Sequence, residues 1–136
     1  MSISVTTTNI TKAFKATAAN FATATNATAG AADTFVFELE RADTAAYVLI
    51  SNPLMMGGTN VTIKFAKGNF WAGKVIDTTE LTIAAGDTAI IAIESSFVKK
   101  ADGTMSMTVT PVTTSIALAS IGLTVSIIER SITSNN

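Results

Sequence analysis

Cysteine and histidine are both absent from this chain. Without cysteine there are no disulfides, thiolate metal sites or thiol nucleophiles, and nothing decisive about compartment follows. Without histidine the commonest metal ligand and the usual general base near neutral pH are gone, so metal and triad chemistry are mostly excluded. Charge is scarce too: 14% of the residues are charged, against about 25% in an ordinary soluble domain. Thr, Ser, Ala and Asn fill the deficit, and a surface of that kind is expected to have partners. The net charge of −1 supplies no field that would steer the chain to nucleic acid or acidic lipid. Lys64, Lys67 and Lys74 lie close together in sequence and read as a solvated face. Neither nucleic acid nor membrane is therefore expected as a partner.

Targeting signals are lacking as well. The start, "MSISVTTTNITKAFK", has no basic stretch followed by an apolar block, so a secretory signal is not expected and synthesis in the cytosol is. The longest apolar region, "SIALASIGLTVSII", is broken by Ser, Gly and Thr and falls short of the ~20 residues of a membrane helix. It reads as buried strand.

What is present suits a single domain. The chain has 136 residues, 48% of them hydrophobic, enough to bury roughly two thirds of the surface its unfolded form exposes. Residues 1–32 form an N-terminal segment that from Asn9 to Ala32 is an Ala/Thr/Asn mixture with Phe14 and Phe21 as the large anchors. The alanines between Lys12 and Ala24 permit a short helix, although the interspersed Thr and Asn lower its propensity, and an extended N-terminal arm or edge segment, able to fold onto a neighbour in an assembly, competes with it on equal terms. From residue 33 the texture is β. "TFVFELE" places Phe35, Phe37 and Leu39 on one side and Val36, Glu38 and Glu40 on the other. "AAYVLIS" is a short apolar run that stops at Asn52-Pro53, and "ERADTA" before it is short enough for a hairpin. "NVTIKFAK" puts Val61, Ile63 and Phe65 inward and Thr62 and Lys64 outward.

The second half repeats the pattern. "ELTIAA" and "GDTAIIAIE" read as strand, turn and strand, with Gly86-Asp87 turning and Ile90 and Ala92 alternating against Ile91 and Ile93. In "SSFVKKADGTMSM" a charged knob makes a corner: Phe97 anchors it, Lys99 and Lys100 solvate the turn, and Asp102-Gly103 starts the next strand, in which Met105, Met107 and Val109 face inward. "SIALASIGLTVSIIER" gives one long or two short strands with Gly122 as a bulge and Ile116, Leu118, Leu123, Val125 and Ile127 inward. The expected fold is an all-β, antiparallel two-sheet sandwich, jelly-roll or Ig-like, of about eight strands. It spans residues 33–130 behind the arm, and residues 131–136 form a frayed tail.

Chemistry is hard to find. Glu38, Glu40, Glu80, Glu94, Asp77, Asp87 and Asp102 are the available acids, and their scatter over turns and strand exteriors gives no pair facing a cleft. Neither turn dipeptide has the further oxygen ligands of a calcium loop, and no glycine-rich phosphate loop occurs. An enzyme is not expected, and no cofactor or metal. The candidates are contact residues. Met55 and Met56, in the loop "NPLMMGGTN", are core plugs or adaptable contacts. Phe70 and Trp71, between Gly68 and Gly73, cap the core or form a contact hot spot. Phe14 and Phe21 complete the set.

The order "ELTIAAGDTAIIAIESSFVKKADGTMSMTVTP" followed by "IGLTVSIIER" resembles the C-terminal half of the capsid decoration (cement, or head auxiliary) proteins of tailed bacteriophages. The shared elements are a GD turn at Gly86-Asp87, a polar corner with Phe97, the run Lys100 to Thr104, and a final strand from Ile121 to Glu129. Residues 60–130 carry the likeness. It implies a structural virion protein, made in the host cytoplasm and placed on the capsid exterior. Such a protein binds the major capsid protein as a homo-oligomer, such as a trimer, and braces capsomer junctions. Two other readings fit the same texture: another phage component (tail tube, connector or fibre module), or a carbohydrate-binding module using Trp71, Phe70 and Tyr47.

Overall fold

The computed structural model describes residues 2–39, 45–69, 80–93 and 98–130. Ten strands among them form two mixed sheets packed face to face, as in a β-sandwich. The front sheet has the order β1 (Ser2–Val5), β4 (Asp33–Glu38), β9 (Thr104–Pro111), β6 (Val61–Phe65), β7 (Leu81–Ile83). The back sheet runs β2 (Thr8–Ile10), β10 (Thr124–Arg130), β5 (Ala45–Ser51), β8 (Thr88–Ile93), with β3 (Ala22–Thr23) beside β2 on the same border of β10.

Period-two alternation builds the core. Phe35 and Phe37 of β4, Met105, Met107 and Val109 of β9, and Val61, Ile63 and Phe65 of β6 are all buried, while their neighbours Val36, Ser106, Thr108 and Lys64 are not. Cross-strand register aligns them into rows, Met107 standing between Phe35 on one side and Phe65 on the other. The back sheet answers with Val48, Ile50, Val125 and Ile127, all fully buried.

Two expectations need correction, and one open alternative is decided. The strand count is ten, not about eight, and two pairings are parallel: β1 with β4, and β2 with β10. Alternation tells which face a side chain takes but not which way its neighbour runs, so strand direction was invisible in the pattern. Second, the N-terminal segment holds no helix among the described residues. Residues 2–10 pair first with β4 and then, across Thr6 and Thr7, with β10, so one extended stretch belongs to both sheets. Its Val5 and Thr8 are buried. Third, "SIALASIGLTVSIIER" is not one or two strands. It begins with a single helical turn, α1 (Leu118–Ile121), whose Leu118 and Ile121 lie on one face and are fully buried. Gly122 is its cap, at φ 72°, and not a bulge.

Candidate interaction surface

The two outer faces of the sandwich differ. On the front sheet, Thr62 pairs with Thr82 and Thr110, Thr108 with Thr34 and Lys64, and Ser106 with Val36, so that face is mainly a hydroxyl array. A shallow groove of about 420 Å³ lies over it, lined by Thr62, Lys64, Lys67, Glu80, Thr108 and Thr110 among others. On the back sheet, Leu49 is flanked by Ile90 and Ser126, and Tyr47 by Ala92 and Ile128. The middle of that face is apolar, with Ile90 and Tyr47 exposed, while Thr88, Ser51 and Thr124 form a polar row at one end.

Among the described residues the carboxylates form no cluster. Asp102 is fully exposed and accepts the Thr104 hydroxyl at 2.7 Å and the Thr104 N–H at 3.0 Å. The hydroxyl bond first, then the N–H, hold its carboxyl below the ordinary value. The Asp102 charge therefore favours the fold above the unfolded-state pKa, and that contribution is lost as pH falls through the folded one. Thr104→Val is expected to move the Asp102 titration upward, measured by carboxyl-carbon NMR; an unmoved titration would refute the hydroxyl's part. Asp33 and Glu129, by contrast, are buried inside the sandwich and not on its exterior. Sequence reading had passed over both. Asp33 Oδ2 accepts the N–H groups of Thr25 (2.9 Å) and Asn26 (3.0 Å) and so pins the chain after β3 to the start of β4. Among the described residues no three Asp, Glu, Cys or His side chains could jointly hold a metal ion. None of the described helices is long and apolar enough to cross a membrane.

The corner reading of Lys99 to Gly103 holds in part. Gly103 sits at φ 87° and donates to the Lys100 carbonyl, which makes the turn. Lys99, however, is buried and does not solvate it. The reason is close packing: a Cβ on Gly68 would collide with the Lys99 backbone, and Asn69 Oδ1 accepts the Ala101 N–H at 2.7 Å, so the corner is docked onto the end of β6. Lys100 reaches back to the Ser106 hydroxyl at 3.1 Å. Phe97 lies outside the described residues.

The described candidate contact residues, Phe14, Phe21 and Met55, scatter. Phe14 and Phe21 sit on a wholly exposed loop, residues 11–21, between β2 and β3. Phe14 is fully exposed and the one non-glycine residue with positive φ (57°) among the described residues. Phe21 is 55% exposed. Met55 lies at the far end of β5 in a single 3-10 turn, Met55–Gly57, largely exposed, with its sulfur 3.0 Å from where a Cβ on Gly122 would stand. It is a lid at the sandwich end more than a core plug. The Met56 side chain, Phe70 and Trp71 lie outside the described residues. Tyr47, 40% exposed, is on the back face.

Sequence reading missed Asn52, which holds the Met55 end together. Fully buried, it donates through Nδ2 to the carbonyls of Thr59 (2.9 Å), Ala84 (3.2 Å) and Ile83 (3.3 Å). Its backbone meets the β7–β8 turn, accepting from Gly86 N–H and donating to the Asp87 carbonyl. An Asn before a proline signals a strand end; three carbonyls converging on it, two of them more than 30 residues away, leave no local trace. No protein-family model matches the chain, and no curated protein or solved structure does either.

Proposed function

We propose that this chain is a non-enzymatic structural protein of a phage particle, binding the outer surface of the capsid as a homo-oligomer and bracing the junctions between capsomers. The observation that carries the reading is the loop of residues 11–21. A bulky residue held at φ 57° costs about 1–2 kcal/mol, and here the strain displays an aromatic ring to solvent and buries nothing. Backbone strain of that kind is kept where a binding surface uses it. The apolar middle of the back face and the low charge of the whole surface support the same reading, because a subunit shared between neighbours has few free polar faces. The likeness of residues 60–130 to decoration proteins supplies the partner's class.

The test uses expanded capsids of the phage that encodes the chain, in co-sedimentation with the purified protein. Saturable binding at hundreds of copies per particle is expected; absence of binding, or six or twelve copies at a neck, overturns the capsid-surface reading. Phe14→Asn isolates the loop, because Asn tolerates the left-handed conformation. The variant is expected to melt within a degree or two of the parent and to bind at least tenfold more weakly, as loss of an aromatic hot spot does. Unchanged binding would remove Phe14 from the contact.

A further inference from the structure

The back sheet ends at β8, and β8 differs from the other border strands. Those are short: four residues in β1, three in β2 and β7, two in β3. β8 has six, Thr-Ala-Ile-Ile-Ala-Ile, and among the described residues it pairs with β5 alone. Border strands normally carry a lysine, a proline or a bulge that discourages further pairing, and β8 carries none within its span.

The hydrogen bonds at its start fix which backbone groups face outward. The Asp87 carbonyl accepts the Asn52 N–H at 2.9 Å, so Asp87 points toward the β5 side. Backbone direction alternates along a strand, so Ala89, Ile91 and Ile93 also turn their N–H and C=O groups to β5, and Thr88, Ile90 and Ala92 turn theirs away. The far side of β5 agrees. The Leu123 carbonyl accepts the Ala24 N–H, which turns Leu123 and Val125 toward β3 and leaves Thr124, Ser126 and Ile128 facing β5.

We propose that the β8 edges of two copies pair antiparallel about a two-fold axis at Ile90, joining two back sheets into one. In that register Ile90 faces the partner's Ile90 and Thr88 faces the partner's Ala92. Every outward N–H and C=O then has a complement, about six hydrogen bonds in all. A second copy is the fitting occupant for two reasons. With no charge on β8 and a net charge of −1, self-pairing sets no like charges against each other along the seam. The Ile90 side chain, 71% exposed, lies in one row with Leu49 on the outer face, so the apolar band continues across the axis and Ile90 is buried against its counterpart. The capsid reading requires a homo-oligomer but no particular surface; this inference supplies the surface and stands without that reading, because it concerns the purified chain alone.

Sedimentation at concentrations up to about 1 mM is expected to show a reversible dimer of twice the 14.0 kDa chain. Ile90→Pro removes an outward N–H while sparing the β5 ladder, as a border strand permits, and Ile90→Lys adds a charge at the axis. Each is expected to weaken dimerisation at least tenfold with the melting curve retained, and Ile90→Lys keeps the test alive if the proline variant does not fold. The cysteine-free chain also allows a register test. Oxidised Ile90→Cys is expected to give a covalent dimer, and Ala92→Cys none, because two copies of position 92 stand about 14 Å apart along the seam. A monomer at every concentration, dimerisation undiminished in Ile90→Lys, or equal cross-linking at position 92 would overturn the proposal.

Discussion

Deleting residues 1–30 is expected to abolish cooperative unfolding, leaving a chain that exposes apolar surface and aggregates. Composition alone argues the opposite, since an Ala/Thr-rich arm with two phenylalanines has little to bury and looks dispensable. The structure gives the segment three separate attachments. β1 completes the border of the front sheet beside β4, while β2 and β3 together complete the border of the back sheet beside β10. Without them the inner edges of β4 and β10 open at once, each as long, unprotected backbone. Val5 and Ala24 leave the core. Asp33 also loses the Thr25 and Asn26 N–H groups that accompany its buried carboxylate. Stranding a buried acceptor costs about 1–3 kcal/mol, and removing a buried valine side chain adds about 1.5–3 kcal/mol. Together with the two opened sheet borders, those losses reach the lower part of the 5–15 kcal/mol by which a domain is typically stable. A truncated chain with dispersed amide NMR signals and a cooperative melt close to that of the full chain would show the N-terminal strands to be dispensable. Phe14→Asn is the contrasting case, because residues 11–21 join two of these strands without entering the core.

The same segment shows where sequence reading succeeds and where it stops. Phe35, Phe37, Met105, Met107, Val61 and Ile63 were legible because a large apolar residue at every second position has one physical explanation, a half-buried strand. The two turns at Gly86 and Gly103 were legible because their positive φ requires glycine. Ser2 to Ile10 was not, because its place in both sheets comes from backbone ladders that any side chain could make. Asp33, Glu129 and Lys99 were assigned no interior role for a related reason: a charged residue at a strand end reads as exposed unless its partners are known, and those of Asp33 lie seven and eight residues earlier in the chain. The contact candidates divide along the same line. Aromatic and sulfur side chains in glycine-rich or alanine-rich loops can be picked out by type, which singles out Phe14, Phe21 and Met55, all three exposed. The outward face of β5 and β8 went unremarked, because Tyr47, Leu49 and Ile90 become a surface only when two strands far apart in the chain are placed side by side.

Asn52 carries the other large expected effect. Its side-chain amide faces the Thr59, Ile83 and Ala84 carbonyls together, and its own Oδ1 is buried without a hydrogen bond among the described residues. Asn52→Ala therefore takes a donor from the Thr59 and Ile83 carbonyls, while the Ala84 carbonyl keeps the Asp87 N–H; the loss costs about 2–4 kcal/mol, since each stranded buried group costs about 1–3 kcal/mol. Urea denaturation reads this directly as a lower midpoint at unchanged slope. Asn52→Asp is the sharper variant. It keeps the shape but sets a carboxylate against three carbonyl oxygens, so burial and repulsion push its folded-state pKa above the unfolded value of about 3.9. The unfolded chain then releases that proton more readily than the folded one. The deficit relative to the parent is accordingly smallest below about pH 3.9, where one O–H still donates, and it grows as pH rises through that value. Paired urea titrations of parent and variant at acid and neutral pH separate this from a packing defect, whose cost would not change with pH. The consequence reaches the surface as well. Leu54 rests over Gly58 and Gly86, on the loop and turn that Asn52 ties together, and Met55, next in the chain, rests over Gly122 at the end of α1. Loosening Asn52 should release both side chains from the sandwich end, seen as averaged methyl shifts for Leu54 and Met55 while those of Ile63 and Val109 stay fixed.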